Sequence, residues 1–146
     1  MSVKQVAPAE AKQLIDQGGT YLDVRTEREF AAGHPVQAIN IPVAVSDPAG
    51  GGMAPNADFL SVAQAIVPKD ARLVVGCQSG GRSQRAAEML AQAGYTDVSN
   101  MQGGFGGQRD QTGRTVQKGW AESGLPVCRD CGENNSYAGL KKRAGR

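Results

Sequence analysis

Seven consecutive residues, Cys77-Gln78-Ser79-Gly80-Gly81-Arg82-Ser83, bring together a nucleophile, two adjacent glycines, a guanidinium and a hydroxyl suited to a helix start. They lie between a short apolar run, Leu73, Val74 and Val75, and a stretch in which Ala86, Ala87, Leu90 and Ala91 recur at helical spacing. That reads as strand, glycine-rich loop and helix in succession. Two glycines let a loop curl so that successive backbone N–H groups point inward, and the helix N-terminus adds partial positive charge. Such a loop is a cradle for an anion. A cysteine at its base has its thiolate favoured over its thiol, and Arg82 adds a further positive charge. The same donors can hold a persulfide anion or the oxygens of an arriving oxyanion. A buried cysteine after a strand can also be no more than a small hydrophobe. Here strand, glycine pair, arginine and helix start agree in phase. Cys77 and Arg82 are therefore the expected catalytic residues, with Gln78, Ser79, Gly80, Gly81 and Ser83 as the expected substrate cradle.

The elements that must position this loop follow from pattern and punctuation. Pro8 suits a first helical turn, and Ala11, Leu14 and Ile15 recur at helical spacing until Gly18 and Gly19 stop the helix. A strand is expected over 20–24, then Thr26 with Glu29 three residues on, a capping box opening a short helix that ends near Gly33. A second buried strand spans 38–41, and 46–57 is rich enough in Gly, Pro, Asn and Asp to be read as a loop. Phe59, Val62, Ala63 and Ile66 make one helical face, 72–76 a strand buried on both sides, 83–93 a helix and 98–101 a further strand. Strands and helices alternating at this spacing predict a doubly wound α/β domain with a mainly parallel sheet. Trp120, with Leu125 and Pro126, should pack back on that domain, and 128–146 reads as a loosely held polar tail containing a Cys-x-x-Cys.

A chain of 146 residues suits one domain, 1–127, and hence one active site. A net charge of +2 is too small to make nucleic acid or a membrane the main partner. The start has no basic stretch followed by an apolar core, and no uncharged apolar run approaches the roughly 18 residues of a span, so a soluble cytoplasmic protein is expected. Three cysteines are too few for a disulfide scaffold and odd in number, so at least one thiol should be free.

The sequence resembles the rhodanese-like family from Val6 to about Val127. Tyr21-Leu22-Asp23-Val24-Arg25 is similar to that family's "LDVR" strand, with Glu29-Phe30 following as its "EF". Gly33-His34-Pro35-Val36-Gln37-Ala38-Ile39-Asn40-Ile41-Pro42 is similar to its "GHIPGAINIP" segment, Gly103-Gly104-Phe105 to its "GGW" or "GGF", and Gly124-Leu125-Pro126-Val127 to its closing "GLPV". The resemblance implies a five-stranded parallel sheet flanked by helices on both faces, with the persulfide carried at Cys77. It further implies a sulfurtransferase that moves sulfane sulfur from a small-molecule donor, thiosulfate or a persulfide, to a thiol or cyanide, protein thiols among the candidate acceptors. No metal or organic cofactor is required. Cys77 to Arg82 has the form Cys-x4-Arg, one residue shorter than the Cys-x5-Arg of related phosphatases; a smaller cradle suits a sulfur atom better than a tetrahedral phosphoryl group. Many thiosulfate users in the family carry Arg directly after the cysteine, where this chain has Gln78, which weakens attraction for a doubly charged donor.

Asp23 and Arg25 match family positions near the loop, and a carboxylate there is expected to hold loop N–H groups or Arg82. His34, the one histidine, is expected to be a turn or packing residue. Cys128 and Cys131 leave three readings open: no role, a resolving or sulfur-accepting role near Cys77, or a metal site completed by another copy of the chain. Lys141, Lys142, Arg143 and Arg146 read as a solvated basic end. The competing reading of the whole chain is a rhodanese-like module that binds a partner or senses redox state without catalysis.

Overall fold

A computed structural model describes residues 3–46, 49–50, 52–78, 81–129 and 135–145. The chain runs β1 (Lys4–Val6), α1 (Pro8–Asp16), β2 (Thr20–Asp23), α2 (Glu27–Ala32), β3 (His34–Pro35), β4 (Ile39–Asn40), β5 (Ala44–Ser46) and β6 (Met53–Pro55). It continues through α3 (Phe59–Ile66), β7 (Arg72–Gly76), α4 (Gly81–Gln92), β8 (Asp97–Met101), β9 (Gln108–Arg109), β10 (Thr115–Gln117), β11 (Val127–Cys128) and α5 (Tyr137–Arg143). Five strands form one sheet in the order β1-β8-β7-β2-β4, and every pairing in it is parallel. This is the expected α/β architecture, with β7 at the centre.

Alternation along the central strands splits the core in two. Leu22, Leu73 and Val75 face a cluster completed by Phe59 and Val62 of α3, Ala86 and Leu90 of α4, and Leu140 of α5. Tyr21 and Val74 face the other way, onto Ala11 and Ile15 of α1, Phe30 of α2 and Trp120. Helices therefore cover both faces. The capping box of α2 forms as the sequence predicts: the Glu29 N–H donates to Thr26 Oγ1 at 3.2 Å and the Thr26 N–H to Glu29 Oε1 at 3.0 Å. Trp120 is buried edge-on to Tyr21, and its Nε1–H donates to the Pro126 carbonyl at 2.7 Å. His34 is a packing residue, stacked on Phe30 with centroids 3.7 Å apart. Gln37 takes φ +73, a left-handed conformation, at the position where the family motif has glycine.

Two expectations need correction. Within 46–57, Met53–Pro55 pairs antiparallel with Ala44–Ser46, so a β-ribbon forms where composition suggested only a loop. The segment after Val127 is not uniformly loose either. Cys128 pairs with His34 and Val127 with Pro35. Further on, Tyr137 and Leu140 of α5 are buried against the core, and the Tyr137 hydroxyl accepts from Asn56 Nδ2 at 2.9 Å. Two apolar residues at i, i+3 spacing suffice to seat this short helix. Lys141, Lys142 and Arg143 then fall in its last turn, where cations offset the helix dipole. Cys131 and Arg146 lie outside the described residues. Among those described, no helix is long and apolar enough to cross a membrane.

Candidate active site

Parallel strands deliver their carboxyl ends to one edge of the sheet, where ligands of open α/β sheets bind. Asp23 at the end of β2 lies opposite Gly76 at the end of β7, and the Val24 N–H donates to the Gly76 carbonyl at 3.0 Å. Just beyond this pair come Val24 and then Arg25 on one strand and Cys77 on the other. Cys77 is a thiol outside any disulfide, 1% exposed, in the cluster that holds Val24, Val43 and Ala86. From the far side, the turn after β8 fixes the loop's backbone. The Phe105 N–H donates to the Cys77 carbonyl at 2.7 Å and the Gly106 N–H to the Gln78 carbonyl at 2.9 Å. Glycine is required at 104: its φ is +60, and a Cβ there would stand 2.5 Å from the Cys77 oxygen. The Trp120 N–H holds this turn through the Gly104 carbonyl at 2.9 Å, which gives the "GGF" motif a mechanical role.

Of the two partners expected for Asp23, Arg82 is not one that it bonds, and the loop N–H groups of residues 79 and 80 lie outside the described residues. The Asp23 carboxylate is occupied by Arg25, with Nη2 2.7 Å from Oδ2, Nε 3.0 Å from Oδ1, and the Arg25 backbone N–H 3.0 Å from Oδ1. Both side chains are buried, at 3% and 1% exposure. The guanidinium also donates to the Gly33 carbonyl at 2.6 Å and to Gln78 Oε1 at 3.2 Å, and it stacks 4.5 Å from the Phe105 ring centroid. Arg25 thereby joins β2, the Gly33 turn, Gln78 and Phe105. Asn40, which sequence reasoning did not single out, donates to the carbonyls of Asp23 and Arg25 at 3.0 and 2.9 Å and so fixes the exit of β2.

Arg82 is held instead by Glu29, whose two oxygens lie 2.8 and 3.0 Å from its guanidinium nitrogens. Glu29 is the second missed residue. Its capping role was legible from Thr26, but that role concealed a carboxylate able to bond across to α4. The Arg82 hydrogen bonds, aided by those from Thr26, lower the Glu29 pKa to about 2. A carboxyl depressed in the folded state stabilises the fold above its unfolded value near 4.5, and that contribution is lost as pH falls toward 2. We expect Glu29→Gln, which keeps the cap, to cost no more than about 1 kcal/mol at pH 7 for this partly exposed pair. The difference from wild type should shrink to nothing in urea titrations approaching pH 2. The same substitution leaves Arg82 without its counter-charge.

Gln78 touches the site through Arg25, and Gly81 opens α4, while Ser79 and Gly80 lie outside the described residues. Ser83 was expected to face a substrate but is fully buried, and its hydroxyl donates to Asn100 Oδ1 at 2.5 Å. It anchors α4 to β8. A cleft of about 370 Å³ lined by Arg25, Glu29, Gly33, Gln78 and Phe105 opens on one flank of the loop. The one cation and the one carboxylate that line it, Arg25 and Glu29, cancel, so the side chains there carry little net attraction for a dianion. Cys128, across from His34, is disulfide-bonded. Among the described residues, no group of three or more His, Cys, Asp or Glu side chains could hold a metal ion.

Comparison with known proteins agrees with this geometry. The family model for the rhodanese-like domain matches residues 7–109. Thiosulfate sulfurtransferase 16, chloroplastic, of Arabidopsis thaliana is 38% identical over 80% of this chain and 86% of its own length. Protein HIGH ARSENIC CONTENT 1, mitochondrial, of the same plant is 43% identical over 65% of this chain, but the chain spans only 55% of that protein. Among solved structures, Rv0390 from M. tuberculosis superposes with a TM-score of 0.73 at 27% identity, covering 88% of this chain and 99% of that one. With its parallel five-stranded sheet and its cysteine loop at the end of the central strand, the chain belongs to the rhodanese-like domain family.

Proposed function

We propose that this chain is a sulfurtransferase that carries sulfane sulfur as a persulfide on Cys77. The observation that carries the reading is a cysteine outside any disulfide at the carboxyl end of the central strand, its carbonyl pinned by the Phe105 N–H, with Arg82 five residues on at the start of α4. Relatives named thiosulfate sulfurtransferase, at 38% and 39% identity, support it. In the first step the Cys77 thiolate attacks the outer sulfur of thiosulfate; a new S–S bond forms, the donor's S–S bond breaks, and sulfite leaves with the electron pair. In the second, an acceptor thiolate or cyanide attacks the outer sulfur of the persulfide and the Cys77 thiolate departs. This is covalent catalysis with ping-pong kinetics. Both steps balance without a metal or organic cofactor. In this reading Arg82 steadies negative charge on either form of Cys77, and the backbone contacts from Phe105 and Gly106 keep the loop in shape between steps. Donor and acceptor are small molecules or protein thiols, and a reducing compartment such as the cytoplasm would keep Cys77 available.

Intact mass after incubation with thiosulfate or cysteine persulfide tests the proposal. The expected result is a gain of one sulfur atom, mapped to the Cys77 peptide and removed by a reducing thiol. No gain with either donor would favour the non-catalytic binding module.

A further inference from the structure

A second cleft, of about 250 Å³, lies between the β5–β6 ribbon and α4. Its walls are Val43, Ala44, Met53, Ala54, Pro55 and Met89, with Arg85 and Asn56 among them, the Asn56 amide N–H groups being committed to the Pro42 carbonyl and the Tyr137 hydroxyl. Two observations connect it to the Cys77 loop. Val43 belongs to the buried cluster that contains Cys77, and Ala44 packs against that cluster. Arg82, Arg85 and Met89 are spaced i, i+3, i+7 on α4, so they form one stripe running outward from the loop. Met53 and Met89 are 50% and 36% exposed, two large apolar side chains left uncovered at the same cleft. Unlike Arg82 and Arg25, Arg85 has no ion-pair partner among the described residues.

Apolar walls with adaptable methionines and one uncompensated guanidinium suit a small organic body bearing a carboxylate. Bare thiosulfate has no such body and gains nothing from this cleft. We infer that the cleft binds the organic part of the sulfur donor, and that the preferred donors are carboxylated organic persulfides or thiosulfonates rather than inorganic thiosulfate. This rests on the sulfur-transfer reading of Cys77. With a thiosulfonate the chemistry balances as before: the Cys77 thiolate bonds to the terminal sulfur, the bond between that sulfur and the sulfonyl sulfur breaks, and an organic sulfinate leaves with the electron pair.

The test compares single-turnover loading of Cys77, read by intact mass, from thiosulfate, benzenethiosulfonate and 4-carboxybenzenethiosulfonate. In the wild type the carboxylated donor should load fastest at limiting concentration. Met53→Ser/Met89→Ser should lower loading from both aryl donors relative to thiosulfate by about tenfold, the size expected for losing one or two buried methylene contacts. Arg85→Ala should erase the advantage of the carboxylated over the plain aryl donor by a factor of about five to ten. All three positions line a surface cleft, and thermal melting of each variant shows whether the fold is kept. If the variants slow all three donors equally, or none, the cleft serves another occupant and the inference is overturned. If the wild type loads from no donor at all, the sulfur-transfer reading itself fails, and the inference with it.

Discussion

Cys77→Ser is expected to lose sulfur uptake from every donor by about a thousandfold or more, because removing a covalent nucleophile leaves only what binding and orientation supply. A serine oxygen cannot form a persulfide, so no pH restores the reaction. The control must separate chemistry from folding, since Cys77 is 1% exposed in an apolar cluster and a buried hydroxyl there lacks the tolerance of a thiol. Cys77→Ala supplies it. That variant keeps the site apolar and should cost only about 1 kcal/mol, yet lose sulfur uptake just as completely. The measurement is mass gain per chain alongside a urea midpoint for each protein. Reversible uptake that survives in the alanine variant would place the sulfur elsewhere in the chain and remove the basis for reading the loop as the site.

Much of this fold was legible because the buried elements carry strong patterns. The run of Leu73, Val74 and Val75 fills both faces of the central strand, and Ala86, Ala87, Leu90 and Ala91 mark the inner side of α4 as their spacing requires. What escaped depended on few residues in polar surroundings. The β5–β6 ribbon is three residues a side, and α5 is seated by Tyr137 and Leu140 within a segment whose average composition is that of a tail. At the site, the nucleophile and its loop could be read from Cys77 to Ser83 because glycine and arginine at those positions serve few other ends. The partners of the charges could not. Sequence spacing places Asp23, Arg25, Glu29 and Arg82 near one another but does not say which carboxylate takes which guanidinium. That depends on the exit of β2, which Asn40 fixes by clamping two carbonyls, and on α2 turning Glu29 toward α4.

Asp23→Ala should destabilise the protein by about 3–5 kcal/mol, because it leaves a guanidinium in a site 3% exposed to solvent without its counter-charge. That is a large share of the roughly 5–15 kcal/mol that holds a typical domain together. The contrast with Glu29→Gln is instructive: both variants break an Arg–carboxylate pair, yet Glu29 and Arg82 are 32% and 26% exposed, so water replaces part of what is lost. Arg25 retains its bonds to Gly33 and Gln78 in the variant, but both acceptors are neutral and neither cancels the charge. Asp23→Asn preserves shape and one acceptor oxygen and should fall between the two. The decisive comparison is Asp23→Ala/Arg25→Met, in which no charge is left buried; it should recover most of the loss measured by urea midpoint, since the penalty belongs to the orphaned ion rather than to the missing bond. If Asp23→Ala costs less than about 1 kcal/mol, the pair is reached by water and behaves as a surface bridge. Recovery of stability in the double variant without recovery of sulfur uptake would separate the two duties of Arg25, ordering the exit of β2 and holding Gln78 and Phe105 against the Cys77 loop.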